Sequence, residues 1–173
     1  MGIPAPKILV IDRQALLRAS NVGQDIARQV KALTKTAEAE LKGEGEALSR
    51  EKQALEQQVA ILAPDVKAQK IRAFEQKAAA FQQKAQQKNL QIRYGVALAQ
   101  RQVESVAGPI VQGIMQERGA NLLIDRQAIV IGAPGLDVTK VAVDRLNQKL
   151  PAVKVQLVSP PPEVLQQMQQ QQQ

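Results

Sequence analysis

Apolar positions change their spacing repeatedly along the chain, and each change marks an element. Lys7-Ile-Leu-Val-Ile-Asp12 carries four consecutive aliphatics and reads as a short strand buried on both faces. Pro4 and Pro6 keep that strand from extending toward the N-terminus. From about Arg13 the pattern turns helical. Ile26, Val30, Leu33, Ala37 and Leu41 recur at spacings of four and three, and Leu41, Leu48, Leu55 and Leu62 are then seven apart. This predicts one helix of about 50 residues, roughly 75 Å long. Gly43 and Gly45 interrupt it and are read as a hinge. Ala63-Pro64-Asp65 ends it, with Asp65 the expected N-cap of the next helix.

A second helix is predicted over 66–107. Ile71, Ala78, Ala85, Ile92, Ala99 and Val106 form a seven-residue series, which Phe74 and Phe81 join three residues along. Two long helices around a tight turn predict an antiparallel hairpin, with Leu41, Leu48, Leu55, Leu62, Ile71, Phe74, Phe81 and Ile92 in its seam. The alternative is a single bent coiled coil that dimerises head to tail.

Gly108-Pro109 is expected to break the second helix, leaving a short helical piece over 110–118 that ends at Gly119. The aliphatic runs 122–124 and 128–131 flank Asp125-Arg126-Gln127 and predict a β-hairpin. Asp137 or Thr139 is expected to cap a last helix over 138–149, which Pro151 stops. Val153, Val155 and Leu157 alternate with polar residues as one more strand would. Pro160-Pro161-Pro162 and the Gln run 169–173 read as an unpacked tail.

The fold class is therefore α+β. A discontinuous oligomerisation body is expected over 7–20 and 108–158, a helical-hairpin arm over 21–107, and a Pro/Gln-rich disordered tail over 159–173. So small a body has open sheet edges and a marginal core. This predicts an obligate homo-oligomer joined through Ile8, Val10, Leu122, Ile124, Ile129 and Ile131.

Composition supports this division. The 173 residues include two Phe, one Tyr and no Trp, but 25 Ala and 27 Gln. That mixture favours long helices with narrow seams over a bulky core. The absence of Cys and His excludes disulfides, thiol catalysis, imidazole or thiolate metal sites and a Ser-His triad. Asp12, Asp125 and Asp137 fall at element ends, where cap and turn roles account for them. No catalytic set and no cofactor motif is present, so an enzyme is not expected.

The net charge of +7 is unevenly placed. Residues 31–62 carry five basic and six acidic side chains, whereas 63–104 carry eight basic and three acidic. On the returning helix, Lys67, Lys70, Arg72, Lys77, Lys84, Lys88 and Arg93 are candidate client-facing cations; the alternative is a solvated face with interhelix ion pairs. The charge would also suit nucleic acid, but aromatics are scarce and no groove-reading motif accompanies the cations, so no specific nucleic-acid partner is expected.

The order of these pieces resembles the Skp (OmpH-like) family of periplasmic chaperones. The resemblance covers about residues 7–150 and rests on Lys7-Ile-Leu-Val-Ile-Asp12, the Gln- and Lys-rich arm, Asn121-Leu-Leu-Ile-Asp125, Ala128-Ile-Val-Ile131 and, above all, Asp137-Val-Thr139 through Arg145-Leu-Asn147. It implies a homotrimer with a central β-barrel body and three helical arms around a cavity that holds unfolded outer-membrane proteins without nucleotide. It also implies a periplasmic location, allows transient contact with an anionic membrane surface, and carries over no lipopolysaccharide site. Met1–Pro6 has neither the basic start nor the apolar stretch of a secretory signal, so the periplasmic placement assumes that signal removed. The alternatives are a structural coiled-coil scaffold and a basic nucleic-acid binder.

Overall fold

The computed structural model describes residues 2 and 4–170. Its elements run β1 (Ile8–Ile11), α1 (Arg13–Ala19), α2 (Asn21–Val59), α3 (Pro64–Glu117), β2 (Leu122–Asp125), α4 (Thr139–Lys149) and α5 (Pro162–Gln170). They divide into two compact units, Met1–Val30 with Val96–Gln156, and Lys31–Gly95 with Leu157–Gln173.

In the first unit β1 and β2 pair in parallel, with Ile8 opposite Leu122 and Ile11 opposite Asp125. The expected strand hairpin does not form. Asp125 turns the chain away, because its Oδ1 accepts the Gln127 N–H at 3.1 Å and starts a single 3₁₀ turn over Arg126–Ala128. Residues 129–131 then run on unpaired. The other edge of β1 bonds instead to the chain entering α4, where the Val138 N–H donates to the Val10 carbonyl at 2.9 Å. The α+β class holds, with fewer strands than the aliphatic runs suggest.

Side-chain caps fix the ends of these elements. Asp12 Oδ1 accepts from the Ala15 N–H at 2.8 Å and caps α1, while Thr139 Oγ1 accepts from the Asp12 N–H at 2.9 Å. α4 starts at Thr139 with Val138 at its N-cap position and no side-chain cap, so neither Asp137 nor Thr139 caps it as expected; Asp137 instead accepts the Thr139 N–H at 2.9 Å in a local turn. Asn147 Oδ1 accepts the Asn21 N–H at 2.7 Å at the start of α2. The segment from Asp137 to Asn147 thus ties α4 to β1 and to both N-terminal helices.

Two helix boundaries depart from expectation. The helix expected from Arg13 onward breaks at the buried Ser20, whose Oγ accepts from the Gly23 N–H at 3.2 Å. The turn is so tight that a Cβ on Gly23 would lie 1.6 Å from the Leu17 carbonyl oxygen. Conversely, α3 continues through Gly108-Pro109. Pro109 cannot donate to the residue 105 carbonyl, a defect of about 3 kcal/mol. Burial of Ile110 (4 % exposed) and Ile114 (0 %) beyond it recovers about 1.5–3 kcal/mol per side chain. The helix that buries Val103 and Ile110 therefore runs on to a later end. There Gly119, at φ +63°, closes a Schellman turn in which the Ala120 N–H donates to the Met115 carbonyl at 2.8 Å. Leu16, Val22, Ile26, Val138, Leu146 and these α3 residues form the core.

In the second unit α2 and α3 run antiparallel, which excludes the single bent coiled coil. Pro64 occupies the first turn of α3 and the Ala63 carbonyl accepts the first helical N–H, so Asp65 lies inside the helix and is not its N-cap. α2 is continuous through Gly43 and Gly45. The tail is not unstructured over 162–170, where it forms α5; residues 171–173 lie outside the described ones.

Candidate functional site

One register aligns the two helices of the arm. Lys88 pairs with Glu40, Lys84 with Glu44, Lys77 with Glu51 at 2.7 Å, and Lys70 donates to Gln58 Oε1 at 2.8 Å. Each step forward on α2 is matched by the same step back on α3, so all four pairs belong to one antiparallel alignment. The Lys88 side chain, bonded to Glu40, holds that carboxyl below its ordinary pKa. The bond that Lys84 donates to Glu44 raises the pKa of its ammonium.

Four of the seven candidate cations are thereby engaged within the arm. Lys67, Arg72 and Arg93 are exposed, and no ion pair joins them to a carboxylate among the described residues. Cross-helix pairing thus accounts for most of the basic face.

The seam beneath the pairs is thin. Leu41, Leu48, Leu55, Leu62, Ile71, Phe74 and Phe81 are each half-buried, and Ile92 is buried. Gly45 lies beside the Phe81 ring, where a Cβ would make an ordinary 3.4 Å contact with Phe81 Cζ, whereas Gly43 faces open space. Beside this contact opens a groove of about 310 Å³, lined by Ala47, Leu48, Ala80 and Phe81 and rimmed by Glu44, Lys77 and Lys84. The arm therefore offers a half-exposed apolar seam flanked by charge, with an excess of cations.

The candidate oligomerisation residues are distributed differently. Val10 is 5 % exposed and already occupied between β2 and the strand-like link at Asp137, so it is unavailable to a second copy. Ile8 (36 %), Leu122 (43 %) and Ile131 (92 %) are exposed, while Ile124 and Ile129 are half-buried. Sequence reasoning missed Val130, which is fully exposed. Its place in an aliphatic run resembled a strand interior, and only the unpaired backbone reveals an open surface.

Ion pairs brace the body around this surface. Arg13 Nε lies 2.6 Å from Asp125 Oδ2, which lowers the carboxyl and raises the guanidinium. Arg145 binds Glu117 through both nitrogens, at 2.8 and 2.6 Å, and depresses that carboxyl too. Burial acts to raise Asp137, but bonds from Thr139 and Arg126 outweigh it and the net shift is downward.

These features describe a protein with a small α+β body and a charged two-helix arm. The family model for outer membrane protein (OmpH-like) matches residues 7–146, and the chain belongs to that family. A crystal structure from Caulobacter crescentus CB15, described as a candidate outer membrane chaperone (OmpH-like), has the same fold. It superposes with a TM-score of 0.81 at 23% identity, covering 94% of this chain and 95% of that one. No curated protein matches the chain. The family supports a chaperone role.

Proposed function

We propose that the protein is an ATP-independent holdase. It binds unfolded outer-membrane β-barrel proteins between helical arms in the periplasm and prevents their aggregation. The observation that carries this reading is the arm's half-exposed seam, with Ala, Leu and Phe side chains beside a net-positive flank. Such a surface attracts an acidic unfolded chain over long range and holds it through many weak contacts. Lys67, Arg72 and Arg93 supply the attraction, with the paired lysines contributing less.

The exposed apolar side chains of Ile8, Leu122, Val130 and Ile131 support assembly of several copies, and we propose a trimer. Several arms then add avidity that one arm lacks.

The test dilutes a urea-unfolded outer-membrane β-barrel protein into buffer with and without the chain, and follows light scattering at low and high salt. Suppression near one trimer per client, weakening with salt, is expected because screening at physiological ionic strength acts over roughly 8–10 Å. Suppression that ignores salt removes the electrostatic role. No suppression at any ratio favours a structural scaffold.

A further inference from the structure

The C-terminal segment is anchored before it reaches the arm. In the first unit, Val153 and Val155 are buried, and the Gln29 side chain bonds to the backbone of both. In the second unit, Ser159 Oγ accepts from Gln91 Nε2 at 3.0 Å and Pro160 is buried. α5 comes next, with Val164 and Leu165 half-buried.

The seat coincides with the best-covered stretch of the arm. Among the described residues of the second unit, only Ile92, Gly95 and Pro160 are buried, and all three fall beside the Gln91–Ser159 bond. The rest of the seam is half-open. A nine-residue helix is marginal alone in water, so α5 depends on the packing that half-buries Val164 and Leu165. From 157 to 170 the segment carries one charge, Glu163, so its hold on the arm is mainly apolar and readily exchanged.

We propose that residues 157–170 are an intramolecular competitor for client. Seated, they cover the arm around Gln91 and Ile92; an unfolded chain must displace them to use that stretch. The inference rests on the holding role proposed above. The displaced segment stays covalently joined to the chain, so its high local concentration returns it to the seat when client leaves. Client affinity is then reduced in proportion to the seated fraction.

The test compares the parent chain with Val164→Ser/Leu165→Ser and with a chain ending at Gln156. Each is titrated against a fluorescently labelled, urea-unfolded outer-membrane β-barrel protein, and amide exchange over 162–170 is followed in the parent. Tighter binding by about three- to tenfold in both variants, with loss of protection over 162–170 when client saturates the parent, is expected. Equal or weaker binding in the variants, or undiminished protection at saturation, overturns the competitor. A parent that binds no client overturns the holding reading and the competitor with it, a result distinct from equal affinities.

Discussion

Gln29 stands in for a β-strand beside Val155. Its Oε1 accepts the Val155 N–H at 2.8 Å while its Nε2 donates to the Val153 carbonyl at 2.8 Å. Asp25 Oδ2 takes a further bond from the same Nε2 at 2.7 Å and fixes the amide's orientation. One side chain on a helix thus meets the backbone needs of a segment that pairs with no strand among the described residues. Gln29→Ala should cost about 1–2 kcal/mol, since part-buried groups lose their partners. Thermal unfolding should show a lower Tm, and the Val155 amide should exchange faster. Unchanged protection there would refute the clamp.

The arm register makes a charge-reversal cycle decisive. Glu51→Lys alone and Lys77→Glu alone should each loosen the hairpin, and the double swap should restore it. Both partners are well exposed, so each pair contributes no more than about 0.2–1 kcal/mol. Chemical denaturation of all four proteins at low salt gives the coupling energy. A coupling of zero would mean that the seam alone sets the register.

Acid should weaken the protein in a defined direction. Glu40, Glu117 and Asp125 each have a folded pKa below the ordinary carboxylate value, because Lys88, Arg145 and Arg13 bond to them. On acidification the unfolded chain takes up protons first, so their contribution is complete above the ordinary carboxylate range and is lost as pH falls through the lowered folded values. The Tm, followed by circular dichroism from pH 7 to 3, should begin to fall below about pH 4.5. A flat profile to pH 3 would contradict these assignments.

Assembly and folding should separate at Val130 and Ile131. Both side chains already face solvent in the single chain, so Val130→Glu/Ile131→Glu should leave the stability of the isolated body within about 0.5 kcal/mol of parent. Sedimentation velocity should show the oligomer lost. If the variant keeps the parental mass, the interface lies elsewhere.

The two arm glycines should behave as replaceable weak points. A Cβ at Gly43 meets nothing, and at Gly45 it makes an ordinary contact with Phe81. Gly43→Ala/Gly45→Ala should therefore stabilise the arm by up to about 1 kcal/mol per site. If the pair acts as a hinge, spin-label distances from the arm tip to Gln91 should narrow and client suppression should slow. An unchanged distance spread would remove the hinge.

The amino-acid pattern alone determined the α+β class, the short N-terminal strand, the two long helices and the Gly119 stop, while the structure chose the hairpin over one bent coiled coil. Each depends on a local signal: a run of aliphatics, a seven-residue seam, or a residue able to take positive φ. Asp12 and Asp125 were legible as caps, and Asp137 as a turn residue, for the same reason, because a carboxylate bonds to N–H groups two or three residues away. Tertiary structure decided what local signals leave degenerate. The Ala128–Ile131 run has the composition of a strand, yet β2 pairs with β1, more than a hundred residues earlier, and leaves Val130 in solvent. Pro109 carries a helix-breaking signal, yet distant partners bury Ile110 and Ile114 beyond it. The lysines of α3 looked alike in sequence, and only the cross-helix register separates Lys70, Lys77, Lys84 and Lys88, which are engaged, from Lys67, Arg72 and Arg93. A residue's neighbours on its own helix are set by a fixed 3.6-residue period, whereas its partner on another element depends on how the whole chain packs.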